Sequence, residues 1–435
     1  MDSSTIGILS VVILLGLMAL RVPIGFALAA VAFGGTWAVR GPRPAASILQ
    51  NLPYEFTAHW TLTAVPMFLL MGAVAGNAGL TTDLFRAFKL VLGRVRGGIA
   101  VATNFAGAGF AAACGSSMAT TATLGRIAVP EMLAAGYSPA LATGVASAVG
   151  TLGAIIPPSI MMIVYAIFAE VSAGKMLIAG ILPGVLTAAA YALVINLVVR
   201  LKPDMAPTVA TETLPKAEIR RILWRTWPLP VLSLGVIGGI YTGLVSPTEA
   251  GALGAALAFL VAAMRRALNG EVIRRSLYET VATTASILFI ATGALLFTRF
   301  LALTGLPYEI AGLIDQMGTD PLVIVLGASV VYLVFGCFLD PMGVLLLTLP
   351  VVLPIFEAAE IDPIWVGVII VKYLEIGMLT PPLGLNVFVM KGVVGDRVPL
   401  GTIFRGVSLF LIAEVIVMTL LISFPQIITF LPNLM

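Results

Sequence analysis

Apolar runs of about 17–25 residues, long enough to cross the hydrocarbon core of a bilayer as helices, recur along this chain from residue 4 to residue 430. They predict membrane crossings near 4–20, 22–39, 60–79, 176–199, 228–245, 247–264, 277–300 and 402–430. Two further spans, 139–170 and 363–393, are each interrupted by glycine and a proline pair. Two more apolar stretches, 97–134 and 321–354, are too long for one ordinary span and have a polar or flexible centre. Each predicts a re-entrant hairpin that enters and leaves on the same side. The segment 301–320 reads as a surface helix or a loop. A membrane barrel would need short alternating segments, so the expected fold is an all-α polytopic membrane protein.

Composition agrees with this pattern. With 60% hydrophobic and 10% charged residues and a mean hydropathy of +1.08, the 435-residue chain lies far outside the balance of a soluble domain. The opening segment lacks a basic start and continues through Arg21 and Pro23 into a second apolar run, so it reads as a retained first helix. Cys114 and Cys337 have no disulfide or metal spacing, and one histidine, His59, cannot build a histidine metal site or complete a serine triad. Neither a phosphate-binding loop nor a metalloprotease motif occurs. The expectation is therefore a protein that is not an enzyme and needs no cofactor. The formal charge of +3 does not call for a nucleic-acid partner, because the basic residues gather in short loops, where positive charge orients membrane helices.

Those basic clusters test the map. Arg86, Lys89, Arg94 and Arg96 precede the first hairpin; Lys202, Lys216, Arg220, Arg221 and Arg225 lie in or beside the polar linker 201–227; Arg265, Arg266, Arg274 and Arg275 follow. If the first hairpin does not cross, even numbers of crossings separate the clusters, and all three fall on the cytoplasmic side. The linker divides the chain into a first half, 1–200, and a second half, 228–435.

The halves repeat. A shift of 224 positions superimposes Pro130 on Pro354, Pro139 on Pro363, Gly153 on Gly377, Pro157 on Pro381 and Pro158 on Pro382. Crossing parity makes the second hairpin enter from the face opposite the first, so the repeat is expected to be inverted. Inverted repeats with discontinuous helices build many secondary transporters, with solute and coupling ions near the bilayer midplane. Proline removes an N–H and breaks the helical ladder, and carbonyls freed within a membrane need a partner, which a cation can be. Half-helix ends add partial charge without a buried full one.

The candidate residues follow from these breaks. At the first hairpin tip Gly115, Ser116 and Ser117 offer flexibility and hydroxyls, with Thr120 and Thr121 one turn on. Thr151, Gly153, Ile156 and Ser159 should lie opposite, beside Pro157 and Pro158. In the second half the tip has Asp340 before Pro341, and the break has Gly377, Thr380, Pro381, Pro382 and Asn386. Such oxygen-rich, thiolate-free surroundings suit a hard cation. Simpler roles compete: close helix packing for Ser116 and Ser117, a helix cap for Asp340 and for Glu249, and an ion pair between Lys372 and Glu375, three apart on one face. Gly235, Gly239 and Gly243, spaced by four, read as a packing face.

The stretches "GGIAVATNFAGAGFAAACGSSMATTATLG", "SPTEAG", "GCFLDPMGVLLLTLP", "IDPIWVGV" and "EIGMLTPPLGLNVFV" resemble the signatures of the large membrane subunit, DctM-like, of tripartite ATP-independent periplasmic transporters. The resemblance spans nearly the whole chain. It implies an elevator-type, ion-transporter-like fold in the bacterial inner membrane. It further implies sodium-driven uptake of an organic acid such as a dicarboxylate, keto acid or acid sugar. Two partners are implied, a small four-helix membrane subunit, expected here as a separate chain, and a periplasmic solute-binding protein; membrane lipid surrounds both membrane subunits. Carried onto this sequence, the first sodium region comprises Gly115, Ser116, Ser117, Thr151, Gly153, Pro157 and Pro158. The second comprises Gly336, Asp340, Gly377, Thr380, Pro381 and Pro382. The solute's carboxylate is expected near Ser117, Thr380 and Asn386. Sodium is the only metal implied. The alternative is a stand-alone carboxylate or ion antiporter of related architecture.

Overall fold

A computed structural model describes residues 3–93, 95–207, 215–316 and 320–435; Arg94, part of the predicted linker and part of 301–320 lie outside them. The described residues form helices and no strands, and eight of those helices are long and apolar enough to cross a membrane.

Many helices begin at a proline preceded by a capping residue. Ser138, Ser246, Asp320, Asp340 and Asp362 each accept a hydrogen bond from a backbone N–H in the first turn of the helix that the following proline opens. Proline fits the first helical position because its missing N–H would be unpartnered there anyway, and the cap satisfies a neighbour that would be. Ser246 and Glu249 complete a reciprocal capping box.

The shift of 224 aligns helices well beyond the prolines that suggested it. Ile24–Arg40 falls on Pro247–Met264, Gly98–Cys114 on Pro321–Phe338, Ser117–Ala134 on Pro341–Ala358, and Leu80–Leu92 on Leu306–Gln316. The inversion is visible at Asn77, the last residue of Ala64–Asn77. Its amide donates to Ser276 and Glu279, each at 3.1 Å, near the start of Gly270–Thr304. The same shift places Ala64–Asn77 on the last part of Gly270–Thr304, so equivalent segments end at opposite ends of the molecule.

Ile24–Arg40, Ala64–Asn77, Pro247–Met264 and Gly270–Thr304 pack on one another as one group. The hairpins, the broken helices and Leu400–Ser423 form a second group. In that group Gly144 and Gly406 allow backbone-to-backbone approach; a Cβ on Gly144 would lie 2.5 Å from the Gly406 carbonyl carbon. The basic clusters meet at one end. Arg265 forms an ion pair with Asp83 on Leu80–Leu92, and Lys216–Trp224 packs on that same helix.

Several expectations need revision. Pro42–Thr57 and Leu80–Leu92 are helices where no element was predicted; both are amphipathic and carry charged or polar residues that a scan for apolar runs passes over. The 277–300 span is the middle of the 35-residue Gly270–Thr304. In 301–320, of the two readings, surface helix or loop, the helix holds: Leu306–Gln316 has 11 residues, is about 17 Å long and is too short to cross. The last span stops at Ser423, not near residue 430. Gly243 lies beyond Pro228–Tyr241 with φ +70°, ending the helix and not extending a packing face.

Candidate functional site

Each hairpin tip is pressed against a break. In the first half, Pro139–Gly150 continues through the single turn Leu152–Ile155, then unwinds at Pro157–Pro158 before Ile160–Phe168. Gly115 ends the first hairpin arm with φ +67°, and a Cβ there would sit 2.4 Å from the Pro158 carbonyl oxygen. A Cβ on Gly153 would sit 2.6 Å from the Ser116 carbonyl oxygen. In the second half, Pro363–Gly377 unwinds through Pro381–Pro382 before Leu385–Val394. There a Cβ on Gly377 would meet the Gly336 backbone at 2.6–3.0 Å. Both Pro–Pro bonds are cis. Four of the glycines singled out from sequence thus sit where tip meets break.

The two tips share one cavity of about 510 Å³. Gly115, Ser116 and Ser117 line it from the first hairpin and Asp340, Pro341 and Met342 from the second; Ala154, Glu375 and Met378 come from the broken helices. Gly270–Thr304, of the other helix group, closes it with Thr283 and Ser286. A larger cavity, about 940 Å³, opens at the end away from the basic clusters and includes His59 and Arg299, but it touches neither hairpin tip. The smaller cavity is therefore the one in which the repeat's special features converge.

The predicted residues separate into groups here. Ser116 caps Ser117–Ala134, and the Ser117 hydroxyl donates to Glu375 Oε2 at 2.5 Å. Thr151 donates to the Ala148 carbonyl at 2.7 Å and lies 3.2 Å from the Tyr191 hydroxyl, so it ties the first broken helix to Ile181–Leu201. Asp340 is both a cap, accepting from Gly343 N at 3.0 Å, and a cavity wall. Thr380 and Asn386 do not join Ser117 in the cavity. The Thr380 hydroxyl donates to the Ile376 carbonyl and faces a separate groove that includes Glu414; Asn386 is fully buried, with neither side-chain polar atom partnered.

The expected Lys372–Glu375 pair is not formed. Lys372 instead contacts Glu414 at 2.5 Å, and Glu414 also accepts from Tyr191. Helical spacing offered Glu375 as the nearest acid, but Leu400–Ser423 brings a second one that the spacing could not show. Sequence reading also left out Ser147, whose buried hydroxyl has no partner. The buried Thr121 hydroxyl, likewise unpartnered, reaches that helix face, 1.8 Å from where a Gly150 Cβ would stand. Buried oxygens left open beside a broken helix are donors that a hard cation can use, whereas leaving them bare costs free energy.

Paired hairpins, paired breaks and a cavity shared by the two tips define a secondary-transporter subunit built from an inverted repeat. The chain belongs to the DctM family: it matches the family described as "Tripartite ATP-independent periplasmic transporter, DctM component" over residues 11–427. It is 37% identical over 383 residues to the C4-dicarboxylate TRAP transporter large permease protein DctM of Pseudomonas aeruginosa, covering 87% of this chain and 88% of that one. It is 32% identical to the sialic acid TRAP transporter large permease protein SiaM of Vibrio cholerae, covering 86% and 87%. Its fold is similar to that of the Alcanivorax borkumensis YdaH transporter, with a TM-score of 0.63 at 17% identity over 89% and 90% of the two chains. The protein is a multi-pass permease of the inner membrane.

Proposed function

We propose that this chain is the translocating subunit of a sodium-coupled importer of an organic acid. A periplasmic binding protein delivers the solute, and a small four-helix membrane subunit completes the membrane part. The observation that carries this reading is the convergence of both hairpin tips and both broken helices on one cavity closed by Gly270–Thr304. Sodium at each tip–break junction would organise the tips, with Ser116, Thr121, Ser147 and Gly153 around the first and Gly336, Gly377 and Thr380 around the second. The solute's acid group would lie between Ser117 and the Asp340–Met342 tip. The hairpins and broken helices, packed as a group apart from Ile24–Arg40, Ala64–Asn77, Pro247–Met264 and Gly270–Thr304, would then move as a body, exposing the cavity first to one side and then to the other. Relatives named for C4-dicarboxylates and for sialic acid support an acid solute and leave its skeleton open.

The test is uptake of labelled succinate and sialic acid into proteoliposomes holding this chain and its small partner. The proposal expects uptake that requires both an inward sodium gradient and the binding protein. Gradient-driven uptake without the binding protein would point to a stand-alone carrier.

A further inference from the structure

The cavity between the tips offers an acid no cation: Asp340 and Glu375 line it, and among the described residues no lysine, arginine or histidine does. The larger cavity, of about 940 Å³, supplies what is missing. It opens at the end away from the basic clusters, the periplasmic end, since basic loops stay in the cytoplasm. Arg299 and His59 both line it, and Glu170 is the only acidic side chain among its described lining residues. Its volume falls within the range of small-molecule sites.

Three side chains in this outer cavity have donors to spare. Arg299, on Gly270–Thr304, and His59 and Thr61, at the turn Trp60–Thr63, make no side-chain hydrogen bond or ion pair among the described residues. Other hydroxyls in the lining are committed: Thr298 donates to the Ala294 carbonyl and Ser246 to Glu249. Trp60–Thr63 packs on Ala64–Asn77 and Pro247–Met264, so the three donors belong to one helix group. Glu170 comes from the opposite wall, just past Ile160–Phe168, and is not paired with Arg299. A guanidinium presents five N–H donors in a planar fork that matches a carboxylate, and a charge in a concave wall draws anions more strongly than one on an open surface. The cavity also lies on a path. Gly270–Thr304 walls both cavities, with Ser286 in the tip cavity and Arg299 in the outer one, about 20 Å apart along the helix axis.

Resting on the proposed import of an organic acid, we propose that the outer cavity is a receiving site for that acid, with Arg299 clasping its carboxylate and His59 and Thr61 donating to it alongside. The site fills without sodium, because no residue of a tip–break junction lines it. It holds the solute released by the binding protein at the mouth of the pathway until the tip cavity is open to it.

The experiment uses the complete transporter in proteoliposomes, in a Cys114→Ser, Cys337→Ser background. Val245→Cys reports on the outer cavity and Met342→Cys on the tip cavity. Labelling by a thiol reagent is followed with succinate and sialic acid as probes. Without sodium, at least one of the acids is expected to slow labelling of Val245→Cys and to leave that of Met342→Cys unchanged. Arg299→Gln should raise the acid concentration needed for this protection about tenfold. Arg299→Lys, which keeps the charge and loses the fork, should raise it less, and Glu170→Gln should lower it. Protection of Met342→Cys by sodium and acid together should survive Arg299→Gln, which a misfolded variant would not allow. The proposal is overturned if neither acid protects Val245→Cys without sodium, or if Arg299→Gln leaves that protection unchanged. It is overturned as well if succinamide protects as strongly as succinate, if the solute-free binding protein protects by itself, or if protection follows the phosphatidylglycerol content of the vesicles. The cavity would then hold any small polar molecule, a side chain of the partner or a lipid headgroup. Uptake that ignores sodium, with protection of Val245→Cys intact, refutes the sodium coupling and leaves the receiving site standing; sodium-driven uptake without that protection does the reverse.

Discussion

Lys372 on the second broken helix is bound to Glu414 on the last long helix, and Glu375, three residues further on, is bound to Ser117 of the first hairpin. Two neighbouring ionisable side chains thus face different partners. One holds the broken helix to Leu400–Ser423, and the other spans the two repeats at the cavity. Breaking a buried pair by removing one member leaves an uncompensated charge, at a cost of about 3–5 kcal/mol, whereas removing both costs much less. Lys372→Met is therefore expected to lower the thermal unfolding temperature of the purified protein sharply. Adding Glu414→Gln should restore much of the loss. Equal stability of the single variant and the wild type would show that the pair is not closed.

The tip–break junctions are asymmetric in a way that mutagenesis can read. A Cβ on Gly377 collides with Gly336 backbone, but a Cβ on Gly336 finds its nearest neighbour at 3.4 Å, an ordinary contact. Gly336→Ala should retain uptake, and Gly377→Ala should lose most of it even where the protein remains monodisperse. The reverse order would mean that the second hairpin packs differently on its break.

Away from the cavity, Ser246 and Glu249 cap Pro247–Met264 reciprocally. Ser246→Ala should cost about 1 kcal/mol of stability and leave the sodium dependence of uptake unchanged. A changed sodium dependence would give this cap a role in transport that its position does not suggest.

The cavity lining makes a further distinction. In a background with Cys114 and Cys337 replaced by serine, a cysteine at Met342 should be shielded from a thiol reagent by sodium and succinate together, whereas a cysteine at Thr380 should not. Met342 lines the tip cavity and Thr380 faces another groove. Equal shielding at both positions would restore Thr380 to the solute site.

Much of the architecture was open to sequence reading because the bilayer leaves few choices. Long apolar runs become helices, and a proline pair within such a run has to break it. Gly153, Gly377 and the two Pro–Pro pairs carried the repeat, and Gly153 and Gly377 lie where a hairpin tip meets a break. The amphipathic helices Pro42–Thr57 and Leu80–Leu92 escaped because their polar residues interrupt the apolar signal. The partners of Lys372 and Glu375 were out of reach for a different reason. Spacing along one helix gives only local neighbours, and Glu414 and Ser117 arrive from elements 42 and 258 residues away. Ser147 was missed because a serine in a small-residue helix looks like packing until its hydroxyl is found buried and unpartnered.

The proposed mechanism needs sodium at each tip–break junction, with both sites filled for transport. The most direct measurement is the initial rate of succinate uptake against outside sodium concentration, at saturating binding protein, with lithium or choline keeping ionic strength constant. Two coupled sites predict a sigmoidal dependence with a Hill coefficient above one, up to about two, and negligible uptake without sodium. A rate that does not change when sodium is replaced would contradict the account.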